Sequence, residues 1–262
     1  MAAPSSSLAV QHIDLWGMLW TLVRTDFKSR YHGTLGGFGW ALLKPTLMFL
    51  VLMGVFSLIF ASSPNYLLNL VVGLFLWEFF SESTKTGVIS LHAKGYLLTK
   101  ARFPTWIVVV ASLSNAVITV LVFACVFLAY LAFAGRFPAA ANLALFVFYL
   151  AMYAAIVTGI SLASSVLFLR YRDLNQVWDV VTQAGFFIAP IIYPLEIVPE
   201  RYHLLLYLWP PTPVIQFSRD VLVAGTVPTL KAHLLLAAMA VAALAIGAAV
   251  FRAQAPRAVE NL

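Results

Sequence analysis

Residues 106–134 read WIVVVASLSNAVITVLVFACVFLAYLAFA. The stretch carries no charged side chain and exceeds the roughly 20 apolar residues an α-helix needs to cross a bilayer. Residues 143–169, LALFVFYLAMYAAIVTGISLASSVLFL, repeat the pattern. Two such runs in succession fix the solvent as lipid, and the composition agrees. Of 262 residues, 62% are apolar and 10% charged, against about 45–50% and 25% in soluble domains, and the mean hydropathy is +0.93. A water-soluble fold of this size has to cover itself with polar groups and could not hide that much apolar surface.

Working outward, further runs cross at about 40–61, 66–84, 177–193 and 234–251, six spans in all with 106–134 and 143–169. The first is interrupted early by Lys44-Pro45, where a lysine can snorkel and a proline suits an opening helical turn. The fifth is short and ends among Pro190 and Pro194. The sixth is rich in Ala and Gly, which lets helix backbones approach closely. No cleavable leader is expected, because the first long apolar run begins only near residue 40 and lacks a cleavage-type end.

Six spans put both ends of the chain on one side. With the N-terminus in the cytoplasm, twelve of the sixteen Lys and Arg residues fall inside, and Arg136, Arg201, Arg219 and Lys231 outside. The positive-inside rule favours that orientation over its reverse.

Residues 1–37 are too polar to cross. Within them, Trp16, Leu19, Trp20, Val23, Phe27 and Tyr31 form one helical stripe, with Asp14, Gly17, Thr21, Arg24 and Lys28 on the other face. Aromatics opposite cations suit a helix lying in the membrane interface; a soluble helix packed on a partner has the same pattern. Residues 84–105 form a long cytoplasmic connection in which Val88, Ile89, Leu91, Leu97 and Leu98 alternate with His92, Lys94 and Lys100, predicting a short amphipathic helix. Residues 194–230 hold Pro194, Pro199, Pro210, Pro211, Pro213 and Pro228 around apolar pieces too short to span. Broken helices at membrane depth persist only where protein or a water-filled cavity surrounds them, so this outer segment is expected to fold back into the mouth of the bundle. Residues 252–262 form a cytoplasmic tail.

The chemistry-bearing motifs are few. No G-x-x-x-x-G-K-[ST] occurs to cradle nucleotide phosphates, and no H-E-x-x-H or Cys/His cluster offers a metal site. Cys125 is the single cysteine, so no internal disulfide forms. Gly159-Ile160-Ser161-Leu162-Ala163 resembles a nucleophile elbow but lies mid-span without a nearby histidine, where small residues serve helix packing. Glu78 and Glu82, with Lys85 one turn on, lie toward the cytoplasmic end of the second span and are read as helix-end charges. An ion-coupled carrier would need acids nearer mid-membrane.

Five segments resemble, in order, the ABC-2 type permeases that export bacterial polysaccharides. The first runs Arg24-Thr25-Asp26-Phe27-Lys28-Ser29-Arg30-Tyr31 into Gly33-Thr34-Leu35-Gly36-Gly37-Phe38-Gly39-Trp40 and on to Lys44-Pro45. The others are Lys100-Ala101-Arg102-Phe103-Pro104, Tyr171-Arg172-Asp173-Leu174, Ala189-Pro190-Ile191-Ile192-Tyr193-Pro194, and Pro210-Pro211-Thr212-Pro213 followed by Arg219-Asp220. The Arg-Tyr-x-Gly piece resembles the O-antigen and teichoic acid exporters more than the capsule exporters. Lys44 and Pro211 depart from the usual Asn and Leu.

The resemblance implies an all-α integral membrane protein of the ABC-2 (type V exporter) kind, with six spans, an N-terminal interface helix and outer re-entrant helices. It implies a non-catalytic permease in the bacterial inner membrane, a homodimer carrying a lipid-linked, O-antigen-like polysaccharide. Two copies of a separate ABC ATPase subunit would bind the ATP and magnesium; no cofactor belongs to this chain and no nucleic acid is a partner. Lys94, Gly95, Tyr96, Leu97 and Leu98 would form the coupling helix that meets the ATPase. Arg24, Phe27, Lys28, Arg30 and Tyr31 would belong to the interface helix. Pro190, Pro194, Arg219 and Asp220 would belong to the outer gate.

A polymer conduit must bind weakly and repeatedly, and aromatic faces stack on sugar rings without demanding one hydroxyl pattern. Phe49, Phe56 and Phe60 of the first span and Phe186, Phe187 and Tyr193 of the fifth are candidates; the same residues would serve equally as lipid-facing or packing aromatics. Other classes predict other features. A drug or small-lipid permease favours a closed apolar vestibule, an intramembrane lipid-modifying enzyme needs paired acids or a nucleophile with its base, and an ion channel needs a charged ring or carbonyl filter.

Overall fold

In the computed structural model, residues 15–32, 36–100 and 104–259 are described, without the side chains of 98–100 and 257–259. The Gly33-Thr34-Leu35 and Ala101-Arg102-Phe103 pieces of the motifs above lie outside them. The described residues form helices and turns, with no strand among them. Five helices are long and apolar enough to span a membrane: α2 (Gly39–Phe56), α3 (Tyr66–Ala93), α5 (Trp106–Phe133), α6 (Ala140–Arg170) and α10 (Leu230–Val259, apolar through Pro256). The chain is an all-helical, multi-pass membrane protein.

Helix α3 is the central post. Leu70, Val72, Leu74, Phe75, Leu76, Trp77, Phe79 and Phe80 are all buried, so almost every side of it meets protein. Helices α5 and α6 flank it, and α10 packs along α6 in the most extensive helix pair of the molecule. That pair is dense because Gly159 and Gly247 let the two backbones meet; a Cβ on either would strike the other helix's main chain. The Ser161 side chain fills the space a Cβ on Gly87 of α3 would need. The elbow-like Gly-x-Ser-x-Ala sequence is therefore a packing seam.

Several boundaries differ from the periodicity reading. Helix α2 stops at Phe56, five residues short of the expected end, and turns occupy 57–64. Helix α3 continues past Thr84 to Ala93, so Val88 and Leu91 are buried residues of its last turns. The short helix expected in 84–105 is reduced to α4 (Gly95–Lys100). Glu78 and Glu82 within the expected span and Lys85 just beyond it all find partners on other helices.

Helix α7 (Leu174–Ile188) has 15 residues, about 22 Å of helix, short of a ~30 Å hydrocarbon core. After it the backbone turns at Ala189, Pro190, Ile191 and Ile192, all buried. Two 3₁₀ turns (Leu195–Ile197 and Glu200–Tyr202), α8 (His203–Leu208), α9 (Pro211–Arg219) and a π turn (Asp220–Ala224) follow. Every residue of α9 is buried, against α3, α6 and α8.

Helix α1 (Leu15–Tyr31) packs on α5. Leu19, Val23, Phe27 and Tyr31 of its apolar stripe are half-buried, and Phe27 and Tyr31 cluster with Phe38. Trp16 and Trp20 point outward, 77% and 64% exposed. The bundle thus has two ends: one with α1, α4 and the last turns of α10, the other with α9 and its turns.

Candidate functional site

Three helices leave an open groove along the side of the bundle. Its floor is α3, through Leu74, Trp77, Glu78, Ser81 and Lys85; its walls are α2 and α7. The volume is about 770 Å³. On α2 the lining residues are Trp40, Leu43, Lys44, Leu47, Met48 and Val51, spaced three or four apart and so on one face. On α7 they are Thr182, Gln183, Phe186 and Phe187. Trp40 and Phe187 are 59% and 67% exposed. Phe186 bridges inward, its ring 5.3 Å from Phe187 and 5.7 Å from buried Trp77. The groove is apolar and aromatic, with charge at Lys85 and at a rung where Lys44 Nζ lies 3.0 Å from Glu78 Oε1.

That rung belongs to a ladder on α3. Glu78 pairs with Lys44 of α2, Glu82 with Arg30 of α1, and Lys85 with Asp179 of α7 at 2.8 Å. Three charges, about one turn apart, thus bind three different helices to the central one. Trp178 adds a neutral tie to α7, its indole N–H donating to Thr84 Oγ1 at 2.9 Å. A smaller cavity of about 280 Å³ behind α2 is lined by Arg30, Tyr31, Lys44, Glu78, Glu82, Asn115 and Thr119 among others. The sequence reading of Glu78 and Glu82 as helix-end charges missed that each has a cation supplied from the first 44 residues.

The candidate pore aromatics separate. Phe186 and Phe187 line the groove. Phe49 and Phe56, with the buried Leu52, occupy the opposite face of α2 and pack on the core, as does Phe60; Phe56 and Phe60 stack at 6.2 Å. Tyr193 lies elsewhere, its hydroxyl donating to the Ile188 carbonyl at 2.9 Å. Trp40 was not singled out, although its spacing from Leu43, Leu47 and Val51 marks the apolar face of α2 that stays exposed among the described residues.

At the far end a polar cavity of about 500 Å³ collects Tyr66, Tyr193, Pro194, Glu196, Gln216, Arg219 and Asp220. Three of the four expected gate residues are here, and Pro190 meets Arg219 directly. Arg219 is buried and spends its guanidinium on backbone. Nε donates to the Asn69 carbonyl at 2.9 Å, Nη1 to Pro190 at 2.6 Å and Nη2 to Ile191 at 3.0 Å. It fits there because Gly73 has no side chain; a Cβ would sit 2.6 Å from Nη2. The Tyr66 hydroxyl donates to the Ile192 carbonyl at 2.7 Å, closing the same turn. Asp220, in the connection between α7 and α10, has its carboxyl pushed up to about 6 by burial, against the pull of Arg219.

At the opposite end Lys94 is the break between α3 and α4. Its ammonium pairs with Asp26 of α1 and donates to Ser112 Oγ of α5 at 3.0 Å. Beyond it Gly95 and Leu97 are half-buried and Tyr96 is 62% exposed. Leu98 belongs to α4, its side chain lying outside those described. On α1, Arg24 and Lys28 are exposed on the face away from Asp26 and Phe27.

Comparison with known proteins gives the fold its relatives. The chain is similar to the O-antigen export system permease protein RfbA of Myxococcus xanthus, 27% identical over 253 residues, covering 94% of this chain and 95% of that protein. It is similar to the RfbA protein of Klebsiella pneumoniae, 29% identical over 216 residues, covering 80% and 82%. It also matches the polysialic acid transport protein KpsM of Escherichia coli, 25% identical over 254 residues, covering 94% and 95%. The model of the ABC-2 type transporter family matches residues 18–223, from the first turn of α1 to the π turn beyond Arg219. Helices α1 to α9, the groove and the arginine-stitched turn all lie within that match, and the chain belongs to the ABC-2 type transporter family.

Proposed function

We propose that this chain is the membrane-spanning permease of an ATP-driven exporter that carries a lipid-linked polysaccharide, of the O-antigen kind, across a bacterial inner membrane. The likeness to O-antigen and polysialic acid permeases over nearly the whole chain supports this reading. The observation that carries it is the groove of α2, α3 and α7. Its walls, Trp40, Leu47, Val51 and Phe187, stand exposed among the described residues of one copy. A second copy facing them would close the groove into a conduit, and α7 together with the turn at 189–192 would complete the sixth crossing.

The rings of Trp40, Phe186 and Phe187 would offer flat apolar faces to the C–H faces of sugars, worth little each and repeated along the path. Phe49, Phe56 and Phe60 would back the wall from behind. Hydroxyls passing Lys44, Glu78, Thr182 and Gln183 would exchange hydrogen bonds without a fixed pattern. Arg219, Asp220, Pro190 and Pro194 would form the outer gate, with Tyr193 beside them. Both termini would be cytoplasmic, following the distribution of Lys and Arg. The α4 end would receive the push of two ATPase subunits, which bind ATP and magnesium; Gly95, Tyr96 and Leu97 are the proposed contact.

The test is export in cells. Alanine at both Phe186 and Phe187 is expected to reduce surface polymer at least fivefold, while the purified permease keeps its ATPase subunit in a one-to-one ratio. Undiminished surface polymer would count against the groove, and absence of any ATPase subunit from the unaltered permease would count against the exporter reading as a whole.

A further inference from the structure

We propose that Lys94, rather than meeting the ATPase subunit, locks the α3–α4 elbow to α1, so that α4 and α1 move as one rigid lever. The inference rests on the reading above in one respect: α4 is where the push arrives.

The geometry carries it. Lys94 sits where the α3 helix breaks, with φ −113° and ψ 19°, and α4 begins at the next residue. Its ammonium faces into the chain, held between the Asp26 carboxylate and Ser112 Oγ. Ser112 is free to accept because its own hydroxyl proton goes to the Val108 carbonyl at 2.9 Å. Three elements, α1, the elbow and α5, therefore converge on one charge.

The pair is also shielded. The Lys94 and Asp26 side chains are 14% and 18% exposed, against 74% for Lys44 and 35% and 41% for Lys85 and Asp179. Exposed ion pairs are screened and loosely held, whereas a shielded pair leaves an uncompensated charge when either partner goes. Lys94 is consumed internally, and the exposed residues flanking it are His92, Ala93 and Tyr96.

A single pin would allow α1 to swivel. The second attachment removes that freedom: Arg30, one turn further along α1, pairs with Glu82. Asp26 and Arg30 are about 6 Å apart along α1, and their partners Lys94 and Glu82 roughly 18 Å apart along α3, so α1 is gripped at two points. One of them borders the α2 cavity that shares Trp40, Lys44 and Glu78 with the groove. A push on α4 would reach the groove mouth through α1 as well as through α3.

The experiment uses the whole transporter, this chain with its ATPase subunit, in proteoliposomes and in cells. Lys94→Met and Asp26→Asn are expected to keep the ATPase subunit at the normal ratio and hydrolyse ATP within twofold of normal, yet export at least tenfold less polymer per ATP. Exchanging the charges, Asp26→Lys with Lys94→Glu, is expected to recover at least part of that export. Spin labels on Thr21 and Tyr96 supply a second measurement, requiring only that the complex assembles. Their separation is expected to stay fixed across nucleotide states in the parent and to broaden in Lys94→Met. Loss of the ATPase subunit in Lys94→Met but not in Asp26→Asn would make Lys94 a docking contact and overturn the lever. Normal export in both variants, or a parent label distance that changes with nucleotide, would overturn it too. The unaltered preparation tests the underlying reading separately: without an ATPase subunit the lever has no driver and both fall, and with one the variant arms decide.

Discussion

Gly247 of α10 lies against the main chain of Gly159 of α6, whose carbonyl oxygen would clash with a Cβ on Gly247, while a Cβ on Gly159 would meet the Ala243 carbonyl one turn back on α10. This close approach sets the distance between the two helices. Alanine at Gly247 is therefore expected to destabilise the permease by about 1–3 kcal/mol, the usual cost of overpacking, and a larger side chain to abolish folding. Gly54 of α2 is the control, since nothing lies within 4 Å of its Cβ position. Gly54→Ala is expected to be neutral or to stabilise by up to about 1 kcal/mol, the helix-propensity difference. Thermal unfolding in detergent separates the two.

Arg219 donates to the buried Pro190 and Ile191 carbonyls of the turn after α7 and to the Asn69 carbonyl of α3. Arg219→Met is expected to cost at least about 2 kcal/mol, since one orphaned buried acceptor alone costs roughly 1–3. Arg219→Lys should rescue little, because an ammonium cannot reproduce the planar fork. Cleavage by a protease at 195–210 should accelerate in both variants.

Asp220 gives a pH signature. Its folded-state pKa of about 6 stands above the ordinary carboxylate value near 3.9, so the native state holds the proton more tightly than the unfolded chain. Stability from this group is greatest below about pH 4, declines as pH rises from 4 to 6, and stays at its lower level above that. Asp220→Asn should raise the unfolding temperature at pH 8 and leave it unchanged at pH 4. A gain that persists undiminished to pH 4 would contradict the assignment.

Helix α7 is tied to α3 by Trp178 and by the Lys85–Asp179 pair. Trp178→Phe keeps most of the ring and loses the indole donor, leaving the buried Thr84 Oγ1 without it; about 1–3 kcal/mol is expected. Asp179→Asn breaks a solvent-reached pair and should cost between ~0 and 1 kcal/mol, vanishing in high salt. Denaturant titration at two salt concentrations distinguishes these losses.

The sequence revealed more of the architecture than of the walls. Long uncharged runs such as 106–134 and 143–169 announce themselves, because lipid demands continuous apolar helix. The ends of helices were harder to read. Charges at Glu78, Glu82 and Lys85 look like an exit from the membrane until Lys44, Arg30 and Asp179 are known to neutralise them, and those partners are distant in sequence. Phe49 and Phe56 were reasonable candidates for a pore, but periodicity divides a helix into faces without saying which face meets the core. Trp40 lay on the other face. Lys94 illustrates the same limit: a cation next to an exposed tyrosine reads as a docking contact, and only the fold brings Asp26 beneath it. The prolines from Pro190 to Pro213 marked a broken segment correctly in kind, whereas the dependence of its turn on Arg219 and Gly73 has no local signal.

The glycine seam between α6 and α10 also divides the molecule by stiffness. Where main chains abut there is no side chain left to flex, so that half behaves as a keel on which drift cannot accumulate without loss of the fold. Opposite it, α2 touches its neighbours through long, compliant side chains. Inheritance should therefore be strict about size along the keel and permissive along the open flank, leaving the flank free to be retuned for different cargoes while the keel stays the same.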